Sequence, residues 1–267
     1  MATYKDKVII ITGASEGIGR ALAQALATQG PKLILAARNA ERLAILVAAV
    51  ETAGAAAIAV PTDVTDEADC RALVAAAVTT YGGLDVLVNN AGGTMWTLFA
   101  EITDIGIFER LMRLNYLSGV YCTYHALPHI IARRGQIVAV SSVAGLTGVP
   151  TRTGYAAAKH AMFGFFESLR VELTGTGVAI TMVAPDYVLS EIHRRALGAD
   201  GAAIGKSPMQ EDKIMTAAQC AGRIVAAMEN RKRLLITSRR GKLGRWIRLI
   251  APGLVDRIAL KAIRDKK

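Results

Sequence analysis

The chain has 267 residues, of which 52% are hydrophobic and 20% are charged. This length and apolar fraction fit one large α/β domain and exclude a disordered chain. The formal net charge is +10, but residues 231–267 hold thirteen cationic and two acidic side chains, so the rest of the chain is close to neutral. Three scattered cysteines exclude a disulfide framework and favour a reducing, cytoplasmic environment. We expect neither a secretory leader nor a membrane span.

Strand-like and helix-like segments alternate along the chain. Apolar, β-branched runs predict strands at 7–12, 32–37, 55–60, 84–89, 136–141, 178–183 and 234–237. Helical patterns cover 17–29, 39–53, 66–81, 103–133, 153–173 and 216–230, and Asn39 fits the N-cap of the second helix. Alternation of this kind predicts a single doubly wound parallel sheet of the Rossmann type, flanked by helices on both faces. We assign residues 1–240 to this domain, with a long loop at about 186–212, and residues 241–267 to a C-terminal extension.

Three glycines, at positions 13, 17 and 19, lie between the first predicted strand and the first predicted helix. Their backbone N–H groups and the helix N-terminus predict a site for the pyrophosphate of a dinucleotide. At the end of the second strand, Ala37 offers no carboxylate for a ribose hydroxyl, whereas Arg38 offers a cation for a 2′-phosphate. We therefore expect NADP(H) in preference to NAD(H), although Glu16 brings an opposing charge.

Tyr155 and Lys159 are spaced i and i+4 on a predicted helix, so they share one face. An ammonium beside a phenol favours the phenolate and should lower the pKa of the phenol. Ser142 follows the end of a strand thirteen residues upstream, where its hydroxyl could polarise a carbonyl oxygen. The three side chains predict a site for proton transfer to or from a substrate oxygen.

Five motifs occur together in the order and spacing of the short-chain dehydrogenase/reductase family, which the chain resembles over about residues 5–240. They are Thr12–Gly19, Asn89–Gly92, Asn115, Ser141–Gly145 and Tyr155–Lys159. The resemblance implies hydride transfer between a nicotinamide and a carbonyl or alcohol, without a metal. It implies four catalytic residues: Asn115 holding a water, Ser142 orienting the substrate oxygen, Tyr155 exchanging the proton, and Lys159 lowering the pKa of Tyr155 and binding the ribose.

The same resemblance implies a cofactor-binding set spread over the whole domain. Its members are Gly13, Ser15, Glu16, Gly17, Ile18, Gly19, Arg38, Asp63, Asn89, Ala91, Gly92, Tyr155, Lys159, Pro185, Val188 and Ser190. One position departs from the family pattern, since Asp186 stands where the family usually has glycine. This substitution puts the local backbone geometry in doubt and places a carboxyl group near the nicotinamide pocket.

The substrate side of the site is only weakly defined by the sequence. By the resemblance, Met95, Trp96 and Leu146 should form an apolar pocket beside Ser142 and Tyr155. In the extension, apolar residues at helical spacing alternate with Lys and Arg, which predicts two short basic amphipathic helices. These helices either bind an anionic membrane surface or pack on the protein or on a neighbouring subunit, and both interpretations stay open.

The leading interpretation is an NADPH-dependent reductase of an apolar lipid-, steroid- or retinoid-like ketone. It would be cytoplasmic or peripheral on a membrane through residues 239–267, and by analogy with the family it would be a homo-oligomer, either a dimer or a tetramer. A reductase of 3-oxoacyl groups on an acidic carrier protein is a second interpretation. A non-catalytic NADP-binding regulator or scaffold is a third, and no nucleic-acid partner is expected.

Overall fold

The computed structural model describes residues 3–209 and 214–264. Within these residues, seven strands form one parallel sheet in the order β3-β2-β1-β4-β5-β6-β7. The strands are β1 (Val8–Thr12), β2 (Lys32–Ala37), β3 (Ala56–Pro61), β4 (Val86–Asn89), β5 (Gln136–Val140), β6 (Ala179–Ala184) and β7 (Leu234–Ile236). The predicted doubly wound Rossmann-type sheet is confirmed, and its strand order reverses between β1 and β4.

The strands are continuous apolar runs because both faces of the sheet are covered. Along β1, Ile9 and Ile11 point into one core layer and Val8 and Ile10 into the other. All five residues of β1 are buried. Successive side chains of a strand face opposite ways, so a sheet buried on both sides needs apolar residues at almost every position.

Helices cover both faces of the sheet. They are α1 (Gly17–Ala27), α2 (Ala40–Thr52), α3 (Glu67–Tyr81), α4 (Ile107–Met112), α5 (Ser118–Ala132), α6 (Thr153–Glu172), α7 (Ala217–Glu229), α8 (Arg239–Ile250) and α9 (Pro252–Arg264). The predicted cap of α2 is confirmed, because the Asn39 side chain accepts a hydrogen bond of 2.8 Å from the backbone N–H of Arg42. Helix α3 ends at Gly82, which adopts a left-handed conformation with φ of 75°.

The long helical region predicted over residues 103–133 is shorter and interrupted. It begins at Ile107, and a π-helical turn over Arg113–Leu117 separates α4 from α5. Such turns are frequent at functional sites. The interruption falls on Asn115, where the family resemblance implies one.

The loop after β6 contains neither a helix nor a named strand up to residue 209, yet much of it packs against the domain. Val188, His193 and Ala196 are buried, and Leu197 forms an isolated bridge with Met95. The end of the predicted loop, residues 210–212, lies outside the described residues. The two helices predicted in the extension are confirmed as α8 and α9. Among the described residues, no helix has the length and apolar character needed to cross a bilayer.

Candidate active site

The carboxyl ends of the strands open into one large cavity of about 1540 Å³. It extends from the glycine loop after β1, past Ser142 and Tyr155, to the helices of the extension. Pockets for single small ligands occupy about 300–1000 Å³. The cavity therefore has room for a dinucleotide and a second molecule, at the sheet edge where doubly wound folds bind their ligands.

The glycine loop is packed too tightly to hold side chains. Gly13 has φ of +65°, and a Cβ there would lie 2.9 Å from Cα of Ala91. A Cβ at Gly19 would lie 2.4 Å from the carbonyl oxygen of Gly13. Gly13, Ser15, Glu16, Gly17 and Ile18 line the cavity, whereas Gly19 is buried behind it and closes the turn. The backbone thus forms a cradle at the start of α1 that fits a pyrophosphate.

Two residues that belong to the quoted motifs, but not to the predicted cofactor-binding set, hold this cradle in place. The Thr12 hydroxyl accepts hydrogen bonds from the backbone N–H groups of Asn90 and Ala91, at 2.9 and 3.1 Å. The Asn90 side chain donates to the carbonyl of Thr12 at 2.9 Å. Asn90, Ala91 and Gly92 line the cavity, while the predicted Asn89 is buried and its side chain donates to Thr123 at 3.0 Å.

Cationic side chains surround the part of the cavity beside β2 and β3. Arg38 and Asp63 both line it. Burial tends to raise the pKa of Asp63, but hydrogen bonds from Thr65 and the charge of Arg38 outweigh it and lower the pKa. Glu16, whose charge argued against a phosphate site, is ion-paired with Arg42 and Arg195, each at 2.8 Å. The net charge of these side chains is therefore positive, which suits an additional phosphate.

The fold brings Ser142, Tyr155 and Lys159 together. Ser142 follows β5 and accepts a 3.1 Å hydrogen bond from the N–H of Ala144, and Tyr155 and Lys159 share one face of α6. The Lys159 ammonium lies 5.8 Å from the centre of the Tyr155 ring and donates a 3.0 Å hydrogen bond to the carbonyl of Val140. All three side chains are buried, yet all line the cavity.

Burial dominates the electrostatics of this group. It raises the pKa of Tyr155, although a hydrogen bond with Ser142 and the charge of Arg152 act in the opposite direction. Burial also lowers the pKa of Lys159 to about 7. In the protein alone, burial outweighs the charges around Tyr155, and Lys159 is itself only partly charged near neutral pH.

Asn115 lies where the π-helical turn meets the cavity. Its side chain donates to the carbonyl of Leu111 at 3.0 Å and accepts from the N–H of Gly93 at 3.2 Å. A Cβ at Gly92 would lie 2.7 Å from Oδ1 of Asn115 and 3.5 Å from Nζ of Lys159. The interrupted helix thus places an amide next to the buried ammonium.

The predicted substrate residues divide between cavity and core. Trp96 and Leu146 line the cavity. Met95 is fully buried and packs with Ile107 and Leu111, so its assignment to the pocket surface is wrong. Its sulfur instead accepts a 3.2 Å hydrogen bond from the N–H of Gly154, at the start of α6.

Pro185, Val188 and Ser190 line the cavity, and Asp186 between them has an unexpected partner. Its carboxylate accepts hydrogen bonds from Arg240 at 2.7 and 3.2 Å and from the Ser238 hydroxyl at 2.7 Å. Asp186 is not among the described residues with positive φ, so the backbone does not require glycine here. The departure from the family pattern joins the loop after β6 to the first turn of α8.

Helices α8 and α9 complete the wall of the cavity. Their inward side contributes Leu243, Ile247, Val255, Ile258 and Ala259. Arg248 also donates a hydrogen bond to the carbonyl of Leu146, near Ser142. Other apolar side chains face solvent: Trp246 is 62% exposed and Ile250 is 85% exposed. The extension therefore borders the site and presents an apolar outer surface.

The glycine cradle, the buried Ser142, Tyr155 and Lys159, and the sheet topology define a dinucleotide-dependent oxidoreductase. A sequence profile described as short chain dehydrogenase matches residues 7–199, so the chain belongs to the short-chain dehydrogenase/reductase family. Members of this family use NAD(P) and act on CH–OH groups.

Relatives that align along most of the chain carry several names. A Dictyostelium discoideum dehydrogenase/reductase SDR family protein 7-like is 34% identical over 96% of this chain and 81% of its own. An Arabidopsis thaliana 11-beta-hydroxysteroid dehydrogenase 1A is 35% identical over 94% of this chain and 73% of its own. A Burkholderia phymatum short chain dehydrogenase/reductase, solved in complex with NAD, superimposes with a TM-score of 0.84 at 26% identity, covering 95% of this chain and 96% of its own.

The lowered pKa of Lys159 gives a stability prediction. The folded protein releases this proton near pH 7, whereas an unfolded lysine keeps it to about pH 10.4. Stability rises with pH wherever the unfolded state binds more protons, so between pH 7 and 9 the wild type should gain about 2 kcal/mol relative to Lys159→Met.

Urea unfolding of the cofactor-free proteins at both pH values measures this difference. The other titrating groups contribute equally to the two proteins and cancel in the comparison. Parallel pH dependences would show that the buried lysine keeps its ordinary pKa.

Proposed function

We propose that the protein reduces an apolar carbonyl compound with NADPH, using Tyr155 as the proton donor. The observation that carries this proposal is the position of Ser142, Tyr155 and Lys159, buried together on the wall of a cavity that continues into the glycine cradle. When bound, the nicotinamide supplies the hydride. The residues of this chain orient the carbonyl, exclude water and deliver the proton.

Each polar group has a separate part in this reaction. The hydroxyls of Ser142 and Tyr155 donate hydrogen bonds to the carbonyl oxygen, and the Tyr155 proton then moves to the developing alkoxide. The raised pKa of Tyr155 keeps its phenol protonated and ready for reduction. Lys159 and Asn115, which lie close together behind the phenol, replace that proton through water.

The choice of NADPH rests on the charges beside β2. Arg38 lines the cavity, Ala37 offers no carboxylate, and Glu16 is neutralised by two arginines. Arg38 would pair with the 2′-phosphate, and Arg42 borders the same part of the cavity. The glycine cradle together with Val188 and Ser190 would hold the rest of the dinucleotide.

The substrate class is inferred from the cavity walls. Trp96, Leu146 and the inward side chains of α8 and α9 make the space beyond Tyr155 largely apolar. Relatives named as 11-beta-hydroxysteroid dehydrogenases support a steroid-like substrate. A ketone bound to a carrier protein would have to pass the extension to reach Tyr155, which makes a free apolar substrate the better interpretation.

The extension also supports a role at a membrane surface. Trp246, Leu249 and Ile250 on α8, and Leu254 and Leu260 on α9, do not line the cavity and are 47–85% exposed. The segment from residue 231 onward carries the net positive charge of the chain. An exposed apolar surface with this charge fits an anionic bilayer, from which an apolar ketone could enter the adjoining cavity.

Removal of the phenol hydroxyl tests the reaction. Tyr155→Phe should lower kcat/KM for NADPH-dependent reduction of apolar ketones by about 10²–10⁴-fold, because the proton donor is lost. The affinity for NADPH, measured by fluorescence titration, should fall far less than kcat/KM. Tyr124→Phe, at an exposed position on α5, is the matched control. Full activity of Tyr155→Phe would overturn the proposed reaction.

The cofactor preference is tested at Arg38. Arg38→Ala should lower kcat/KM with NADPH by roughly 10- to 100-fold, the contribution of a charge-assisted hydrogen bond, and leave the value with NADH unchanged. Arg71→Ala, on the exposed side of α3, controls for the loss of one positive charge. An equal loss with both cofactors would contradict a 2′-phosphate contact.

The membrane role is tested by sedimentation with vesicles. Full-length protein should bind phosphatidylcholine vesicles that contain phosphatidylserine, and added salt should weaken the binding, since each surface cation contributes about 1 kcal/mol. Point variants are preferable to deletion because α8 also lines the cavity. The double substitution Trp246→Ser and Ile250→Ser should reduce binding.

The control substitution is Ile105→Ser, at a 72% exposed apolar position on the domain, and it should not reduce vesicle binding. Equal binding to neutral and anionic vesicles would contradict the proposal. Loss of self-association in the double variant, without any vesicle binding by the wild type, would assign the surface to a second copy of the chain instead.

A further inference from the structure

Arg152 is a charged side chain in the cavity wall that the proposed reaction does not use. It stands three residues before Tyr155 at the N-terminus of α6 and is only 6% exposed. It lines the same cavity as Ser142 and Tyr155. A cation in this position lies within reach of whatever molecule occupies the space in front of the phenol.

Its guanidinium lies against two aromatic rings. The Cζ atom is 4.7 Å from the centre of the Trp96 ring and 5.2 Å from the centre of the Tyr187 ring. The hydrogen bonds among the described residues leave its Nε and Nη2 without a partner. The carboxylate of the neighbouring loop, on Asp186, is occupied by Arg240 and Ser238.

A buried guanidinium without an anionic partner is unfavourable, because it has lost its hydration. The faces of two aromatic rings offset part of this cost. An oxyanion offsets more, because carboxylates and phosphates match the donors of a guanidinium in both charge and geometry. The protein thus keeps the Arg152 cation near Tyr155 without an anionic partner of its own. A carboxylate or phosphate that binds this cation would have to come from a molecule in the cavity.

The backbone before Arg152 carries strain that fixes this position. Thr151 is β-branched and has φ of +67°, a left-handed conformation that such residues rarely adopt. Its carbonyl accepts a 3.0 Å hydrogen bond from the N–H of Thr97, next to Trp96. Strained residues persist where the surrounding structure holds them, and they cluster at ligand sites.

We propose that Arg152, held against Trp96 and Tyr187, forms a subsite for an oxyanion, so that the preferred ligands of the cavity are apolar molecules with a carboxylate or phosphate group. This inference rests on the proposed function, since it specifies the substrate class of the same cavity. Nε and Nη2 lie beneath the cavity surface. An oxyanion in the cavity would therefore interact with the charge of the guanidinium as a whole, and not with these two atoms alone. The anionic group of a substrate would bind beside its carbonyl and orient it toward Tyr155.

Binding of simple amphiphiles tests the subsite without any need for turnover. Dodecanoate, dodecyl phosphate and 1-dodecanol share one alkyl chain and differ in the head group. Calorimetric titration of full-length, cofactor-saturated protein should give tighter binding of at least one anion than of the alcohol, by roughly 10- to 100-fold. The two anions distinguish carboxylate from phosphate. Equal binding of all three would overturn the inference.

Substitutions then locate the effect. Arg152→Gln should abolish the preference for the anion, and Arg152→Lys should keep part of it. Arg170→Gln is the matched control, because Arg170 also has Nε and Nη2 without partners but does not line the cavity. A preference that survives in Arg152→Gln, or is lost in Arg170→Gln, would contradict the assignment. The comparison of ligands on wild-type protein stands even where a variant does not fold.

The outcomes separate this inference from the proposed reaction. Ketone reduction that depends on Tyr155, together with equal binding of acid and alcohol, would retain the reaction and reject the subsite. Anion preference that depends on Arg152 without any ketone reduction would retain the subsite and reject the reaction. For an oxo acid that is turned over, Arg152→Gln should raise KM far more than it lowers kcat, and the methyl ester should be affected little.

Discussion

The hydrogen bond from the Lys159 ammonium to the carbonyl of Val140 joins helix α6 to the carboxyl end of β5. The remainder of the site is built on this junction. This hydrogen bond fixes which face of α6 is turned toward β5. Tyr155 and Lys159 share that face, and Ser142, just beyond β5, lies opposite it. A second hydrogen bond, from the Ser141 hydroxyl to the Lys159 carbonyl at 3.0 Å, fixes the same two elements from the side of the strand. The reacting groups are therefore attached to the sheet and not to a mobile loop.

Holding these groups by burial has an electrostatic consequence. The environment that positions Lys159 also disfavours its charge, and the environment that holds Tyr155 also disfavours the phenolate. The polypeptide alone thus keeps a neutral acid near neutral pH. The positive charge of Arg152 favours ionisation of Tyr155, but its effect is smaller than that of burial.

Much of the fold follows from local sequence. Continuous apolar strands predict a sheet covered on both faces, and Asn39 predicts the start of α2 to the residue. The glycine spacing predicts the cradle because turn geometry depends on nearby residues. The catalytic group was found from family spacing, since a tyrosine and a lysine four residues apart are common on helices.

Other features depend on contacts between distant segments. Trp96, Arg152 and Tyr187 meet only because three loops converge at the edge of the sheet. Glu16 is neutralised by Arg42 and Arg195, which lie 26 and 179 residues away. The i and i+4 spacing of Tyr155 and Lys159 reveals a neighbouring charge but not the depth of burial that raises the pKa of Tyr155. Met95 was misassigned for the same reason, since its position in the chain does not reveal which side of the loop faces the core.

The ion pair between Asp186 and Arg240 makes the loop after β6 and helix α8 depend on each other. In the full chain the carboxylate is only 11% exposed, and the side chains that donate to it belong to Ser238 and Arg240, so a chain that ended before these residues would leave it without its cation. Glycine at that position would in turn free Arg240 and the first turn of α8. Loss of α8 and substitution of Asp186 by glycine would each leave one charged side chain without its partner. We therefore expect the aspartate and the C-terminal helices to be inherited together or lost together.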